Sequence, residues 1–185
     1  MSWLSLGEVE PTAEVAAVFA ATRAKLGYVR VAQRLMANVP PVMVAQDGLS
    51  RSLMAGGETS LTAREREFLA LIVSVENGCT ACVFGHASRL RLETGDAFWV
   101  GTVEANYRHA QLTARERAMG DYAIKLTRTP AEMGPADLEP LRQAGLSETD
   151  IIYTAGIVAF FNLSNRINSG LGVVPNREAH EAGRG

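Results

Sequence analysis

The chain has 185 residues, 47% of them apolar and 21% charged, with a net charge of −2. Such a composition belongs to a folded globular protein and lies outside the disordered range, and the length suits one domain over residues 1–185. The balanced charge excludes a nucleic-acid-binding surface: the arginines are scattered, and no basic run is interleaved with aromatics.

The chain opens on MSWLSLGEVEPTAEV, which has no basic start followed by an apolar core and so is no signal peptide. The most apolar windows, FLALIVSV (68–75) and IIYTAGIVAFF (151–161), are too short to span a bilayer. A cytoplasmic protein with no membrane contact is therefore expected. Thiols stay mostly reduced there, so a close cysteine pair points to catalysis or metal binding before a structural staple.

Helical periodicity runs through nearly the whole chain. Residues 12–27 place Val15, Val18, Phe19 and Leu26 near one face and stop at Gly27, a C-cap residue. RVAQRLMANVP (30–40) reads as a short second helix, and PVMVAQDGLSRSLMAGG (41–57) as a third that ends at Gly56-Gly57. A fourth starts in SLTAREREFLALIVSV (60–75), where Thr62 and Glu65 form a capping box. The letters LTARER return at 112–117 with Thr113 and Glu116, and Ser147 with Asp150 opens another start. No alternating strand pattern is present. The expected fold is all-α, a bundle of roughly seven to nine helices.

A repeat is also visible. Glu67 precedes Cys79 by 12 residues, Cys82 follows by three and His86 by four more. Asp150, Asn162, Asn165 and Ser169 keep the same spacing in the C-terminal third. This predicts a duplicated helical hairpin, one copy carrying chemistry and one blank. Of the acidic residues near Glu67, Glu65 and Glu76 read as solvated helix positions. Phe98, Trp99, Phe160 and Phe161 read as core or subunit-contact residues, His109 as a surface or interface residue, and the segment around His180 as frayed.

The chemistry concentrates in NGCTACVFGH (77–86), which holds both cysteines. Asn77-Gly78 is a helix-start signal, so residues 80–92 read as a helix with Cys79 near its N-cap. Free amides and the positive dipole end favour a thiolate there, which by itself makes Cys79 the better nucleophile. Side chains at i and i+3 are neighbours, with Cβ atoms about 5–6 Å apart, so the pair can open and close as a disulfide with little backbone movement. His86 shares the face and can carry a proton near neutral pH. Glu67 on the preceding helix can orient that imidazole. Two other readings stand beside this one. Zinc would take Cys79, Cys82, His86 and Glu67, although a single CxxC with one histidine lacks a second ligand knuckle. An inert buried thiol pair beside a core histidine is the other. No cofactor-binding pattern is present: GGETS lacks the lysine and the preceding strand of a phosphate loop.

The set Glu67-x11-Cys79-x2-Cys82-x3-His86 resembles the motif of the alkylhydroperoxidase D-like proteins, in the peroxidase-related branch of the carboxymuconolactone decarboxylase superfamily. AKLGYV (24–29), LTARERAMGDYAIKLTRTP (112–130) and FFNLSNRINSGLG (160–172) extend the likeness over about residues 24–172. The resemblance implies an all-helical fold with hairpins, and a homo-oligomer, whether dimer, trimer or hexamer. It implies reduction of a hydroperoxide by the cysteine pair without a metal. Cys82 would be the attacking thiolate, Cys79 the resolving thiol, and Glu67 and His86 the proton relay. A dithiol, such as a lipoylated protein, would be the reductant. One departure stands out. The best-studied members carry a second histidine between the cysteines, where this chain has Ala81.

Overall fold

The computed structural model describes residues 2–6 and 9–184. The described residues form ten α-helices, three short 3₁₀ turns and no strand, which is the all-α architecture expected. The helices are α1 (Ala13–Leu26), α2 (Val31–Met36), α3 (Pro40–Met54), α4 (Ala63–Glu76) and α5 (Thr80–Thr94), followed by α6 (Ala97–Asn106), α7 (Ala114–Arg128), α8 (Glu139–Gln143), α9 (Glu148–Gly170) and α10 (Arg177–Glu181). The count exceeds seven to nine because α8 and α10 have five residues each, too few for a 3.6-residue period to show.

Helix α4 is the axis of the bundle. Every residue from Phe68 to Ser74 is buried, and a helix that is apolar all round belongs at the centre. Helices α5, α7 and α9 pack around it, and α6 closes a further side. Leu69, Leu71, Leu90, Met119 and Ile157 are fully enclosed in the resulting core. Burying one such side chain contributes about 1.5–3 kcal/mol.

Sequence sets the helix starts. Thr62 accepts from the Glu65 amide at 3.1 Å while Glu65 accepts from the Thr62 amide at 2.8 Å. Thr113 with Glu116, and Ser147 with Asp150, repeat that capping box. The two LTARER copies do more than start helices. Arg64 Nε donates to Glu116 at 2.6 Å and Arg115 Nε donates to Glu65 at 2.8 Å, so each start grips the other. Glu65 is therefore buried and paired, where a solvated position was expected. Glu76 is not buried, and at the surface it binds Arg128 through both carboxylate oxygens.

Residues 150–169 do not form a second hairpin. They lie inside α9, one continuous helix of 23 residues. The capping boxes also put Asp150 in register with Glu65, two positions before Glu67. The physical reason is local. Chain reversal after α4 uses Gly78 at φ 64°, whereas Asn162 is followed by Leu163, which takes that left-handed conformation at a cost.

The N-terminal helices α1 to α3 pack on one another through Val15, Val18, Ala37 and Met43. Helix α3 then leans on α9, where Gly156 admits Leu53: a Cβ there would sit 2.9 Å from its Cδ2. The tail after α9 is ordered, where fraying was expected. Arg91 of α5 donates to the carbonyls of Ala179 and Ala182 at 3.1 and 2.9 Å, satisfying helix-end acceptors that water would otherwise take.

Candidate active site

The site is built on the corner between α4 and α5. Asn77 closes α4, and its Nδ2 donates to Asn162 Oδ1 at 3.0 Å and Asn165 Oδ1 at 3.1 Å, both on α9. Asn165 in turn donates to Ser74 Oγ at 3.1 Å. This buried amide network ties the corner to two helices at once. Gly78 then reverses the chain, and the Cys79 amide donates back to the Ser74 carbonyl at 3.0 Å. Cys79 is the N-cap of α5, as the sequence predicts.

Cys79 and Cys82 are joined as a disulfide, with Cα atoms 5.3 Å apart. The two sulfurs face different surroundings. Cys79 is 2% exposed and lies in the corner. Cys82 lines a cavity of about 120 Å³ enclosed by α3, α5, α9 and the segments before α2 and α10. His86 and Ala81 line the same cavity, as do Phe160 and Phe161. Ala81 thus stands at the wall where an inter-cysteine histidine would project.

The structure brings the four predicted residues together: Cys82 and His86 line the cavity, Cys79 is bonded to Cys82, and Glu67 is hydrogen-bonded to His86. Glu67 reaches across from α4, and its Oε2 lies 2.7 Å from His86 Nδ1. Its Oε1 lies 3.5 Å from Arg89. Burial pushes the Glu67 carboxyl up, but the Arg89 charge, the His86 hydrogen bond and Lys25 outweigh it and hold the group at about 2. Burial, with Arg89 and Arg30, pushes the His86 imidazole below its ordinary value against the opposing pull of Glu67. The pair is therefore carboxylate and neutral imidazole near pH 7. A carboxylate only accepts, so the Nδ1 beside it carries the ring proton and Nε2 keeps its lone pair. Phe161 packs edge-on against the ring, with centroids 4.4 Å apart.

Three residues at this site were not predicted. Asn168 Nδ2 donates to Cys82 Sγ at 3.3 Å, and polar residues at 162, 165 and 168 mark one face of α9 as the available signal. Arg89 lies three residues past His86 on the same helical face, so its spacing also carried a signal. Arg30 is brought in by tertiary packing and left none. As for metal, the cysteine sulfurs are bonded to each other and Glu67 faces His86 and Arg89. Among the described residues no cluster of three or more His, Cys, Asp or Glu side chains has metal-holding geometry.

An all-helical bundle with a cysteine pair at the turn of a central hairpin, backed by a glutamate–histidine couple, defines a class of helical dithiol proteins. Solved structures place the chain more narrowly. A peroxidase-related protein from Ralstonia eutropha JMP134, an alkylhydroperoxidase AhpD core, is 30% identical, spans 100% of this chain and 97% of its own, and superposes with a TM-score of 0.93. A peroxidase-related protein from Silicibacter sp. TM1040 is 36% identical over 99% of this chain and 96% of that one, with a TM-score of 0.90. The debrominase Bmp8 shares the fold at 19% identity, over 93% of this chain and 92% of its own, with a TM-score of 0.78. No protein-family model and no curated protein matches the chain. The chain belongs to the alkylhydroperoxidase D-like family of peroxidase-related proteins. None of its helices is long and apolar enough to cross a membrane among the described residues.

Proposed function

We propose that the protein is a thiol-dependent alkyl hydroperoxide reductase acting through Cys82. The carrying observation is that Cys82, and not Cys79, faces the cavity beside His86, while Cys79 lies within disulfide reach behind it. Neutral His86 takes the thiol proton of Cys82 at Nε2, and Glu67 steadies the imidazolium that forms. The thiolate attacks the outer peroxide oxygen. A sulfur–oxygen bond forms, the oxygen–oxygen bond breaks, and the departing alkoxide takes the proton from His86 and leaves as an alcohol. Cys79, as thiolate, then displaces hydroxide from the Cys82 sulfenic acid; hydroxide leaves as water and the disulfide remains. An external dithiol supplies two electrons and two protons to reopen it. A lipoylated protein fits that role in a reducing compartment such as the cytoplasm, and a homo-oligomeric assembly belongs to the same proposal.

The test is consumption of cumene hydroperoxide by the reduced protein, with thiols counted before and after. Loss of two thiols per peroxide is expected. Unchanged thiols would remove the peroxidase reading and leave a dithiol–disulfide oxidoreductase or a redox-sensing protein.

A further inference from the structure

The cavity beside Cys82 is lined by a guanidinium, that of Arg30, which makes no ion pair among the described residues. Arg30 sits at the N-terminus of α2, where the chain is pinned on both sides. Its own amide donates to Gln33 Oε1 at 3.3 Å, and the next amide, of Val31, donates to Asn176 Oδ1 at 2.9 Å. Gln33 is held in turn through its Nε2, which donates to Thr22 at 2.7 Å. The side chain lines the cavity with Cys82 and His86. Its Nε is enclosed and finds no partner among the described residues, and its terminal nitrogens make no ion pair there.

Two carboxylates attract it, Asp47 more than Glu67, but neither is paired with it. Arg89 also lines the cavity, but its charge is directed at Glu67. Asp47 on α3 lines the cavity too, and its carboxylate is paired with Arg51 at 3.0 Å. Burial, followed by the repulsion of Arg89, draws the Arg30 guanidinium down to about 10. An arginine that is held in place, partly desolvated and unpaired is strained electrostatically, and an oxyanion relieves that strain through two parallel N–H···O bonds.

We propose that the cavity recognises an anionic substrate, a small organic hydroperoxide bearing a carboxylate, with the carboxylate seated on Arg30 and the peroxide directed at Cys82. This rests on the reading of Cys82 as the reacting thiol. Met36, Met43, Phe160 and Phe161 also line the cavity and give a short carbon skeleton between the two ends apolar contacts. The reaction itself is unchanged: hydroperoxide and two thiols give alcohol, water and disulfide.

The first measurement separates the anion seat from peroxide chemistry. Reduced protein is alkylated with iodoacetate and, separately, with iodoacetamide, reagents of similar size that differ in charge, and labelling at Cys82 is followed by mass spectrometry. The iodoacetate-to-iodoacetamide rate ratio at Cys82 is expected to exceed that of free glutathione at least tenfold. Arg30→Gln should return it to the glutathione value, and Arg30→Lys, which keeps the charge, should retain part of the preference. Arg89 is not substituted, because it also holds Glu67. A wild-type ratio equal to that of glutathione, or one unmoved by Arg30→Gln in folded protein, overturns the seat.

The second measurement compares 3-hydroperoxy-3-methylbutanoate with its methyl ester. The acid-to-ester ratio of kcat/KM should exceed ten and fall toward one in Arg30→Gln. A ratio near one in the wild type overturns the substrate class. An alkylation preference with neither hydroperoxide consumed overturns the peroxidase reading and leaves the anion seat standing.

Discussion

The two cysteines are three residues apart in sequence, yet their surroundings differ. Dipole reasoning favoured Cys79 at the N-cap, and it is there, but the cavity opens on Cys82. The proposed assignment therefore follows access to the cavity rather than the helix dipole. Cys82→Ser is expected to abolish peroxide turnover, whereas Cys79→Ser should accumulate a sulfenic acid trappable by dimedone; dimedone labelling absent from Cys79→Ser would reverse the assignment. Asn168 donates to the Cys82 sulfur, and a donor favours the charged form. Asn168→Ala should slow iodoacetamide labelling of reduced Cys82 about fivefold at pH 7, given ~1 kcal/mol for such a bond. His86 offers a pH signature. Its folded-state value lies below the ordinary one, so the unfolded chain binds that proton more readily. The associated stability is present above about pH 6.5 and is lost as pH falls from there. Glu67, held at about 2, acts the same way in a lower window, below about pH 4.5. Thermal midpoints should thus fall between pH 6.5 and 5 in the wild type, and fall less over that interval in His86→Gln.

At the scale of elements, the turn between α4 and α5 sets the cysteine pair and brings Glu67 of α4 beside His86 of α5. Asn77 ties it to α9, and Gly78 reverses it at φ 64°. Space is not the constraint at Gly78, since an added Cβ would meet nothing within 4 Å. The left-handed backbone is. Gly78→Ala should cost ~1–2 kcal/mol, read as a lower denaturant midpoint at unchanged slope, and should also slow reformation of the Cys79–Cys82 disulfide. Helix starts were legible here because capping is local chemistry: Thr62, Thr113 and Ser147 each cap where expected. The pairing of Arg64 with Glu116 and of Arg115 with Glu65 was not legible. It joins residues about 50 positions apart, and only the packing of α4 on α7 brings them together.

At the scale of the whole molecule, the disulfide closes a very short loop and adds little to a core already centred on α4. Loop-entropy reasoning gives ~2 kcal/mol for a four-residue loop. Reduction should therefore lower the stability by no more than about that amount and leave the far-ultraviolet circular dichroism spectrum unchanged. Collapse of the helical signal on reduction would show instead that the bond holds the fold together, which the proposed cycle, opening the bond at every turnover, does not allow.

The sequence by itself determined that the chain is all-helical, where its main helices start, and that Glu67, Cys79, Cys82 and His86 form one set. These follow from periodicity, caps and spacing along at most one hairpin, where neighbours in sequence are neighbours in space. Tertiary structure decided the rest. It kept residues 150–169 in one helix, since Leu163 stands where a reversal would need a glycine such as Gly78, and it turned Cys82 rather than Cys79 to the cavity. It also brought Asn168 to the Cys82 sulfur, and Arg30 to the cavity that Cys82 lines, from segments far apart in the chain. A side chain's partner across a packed interface depends on how whole helices pack against each other, and no local pattern records that.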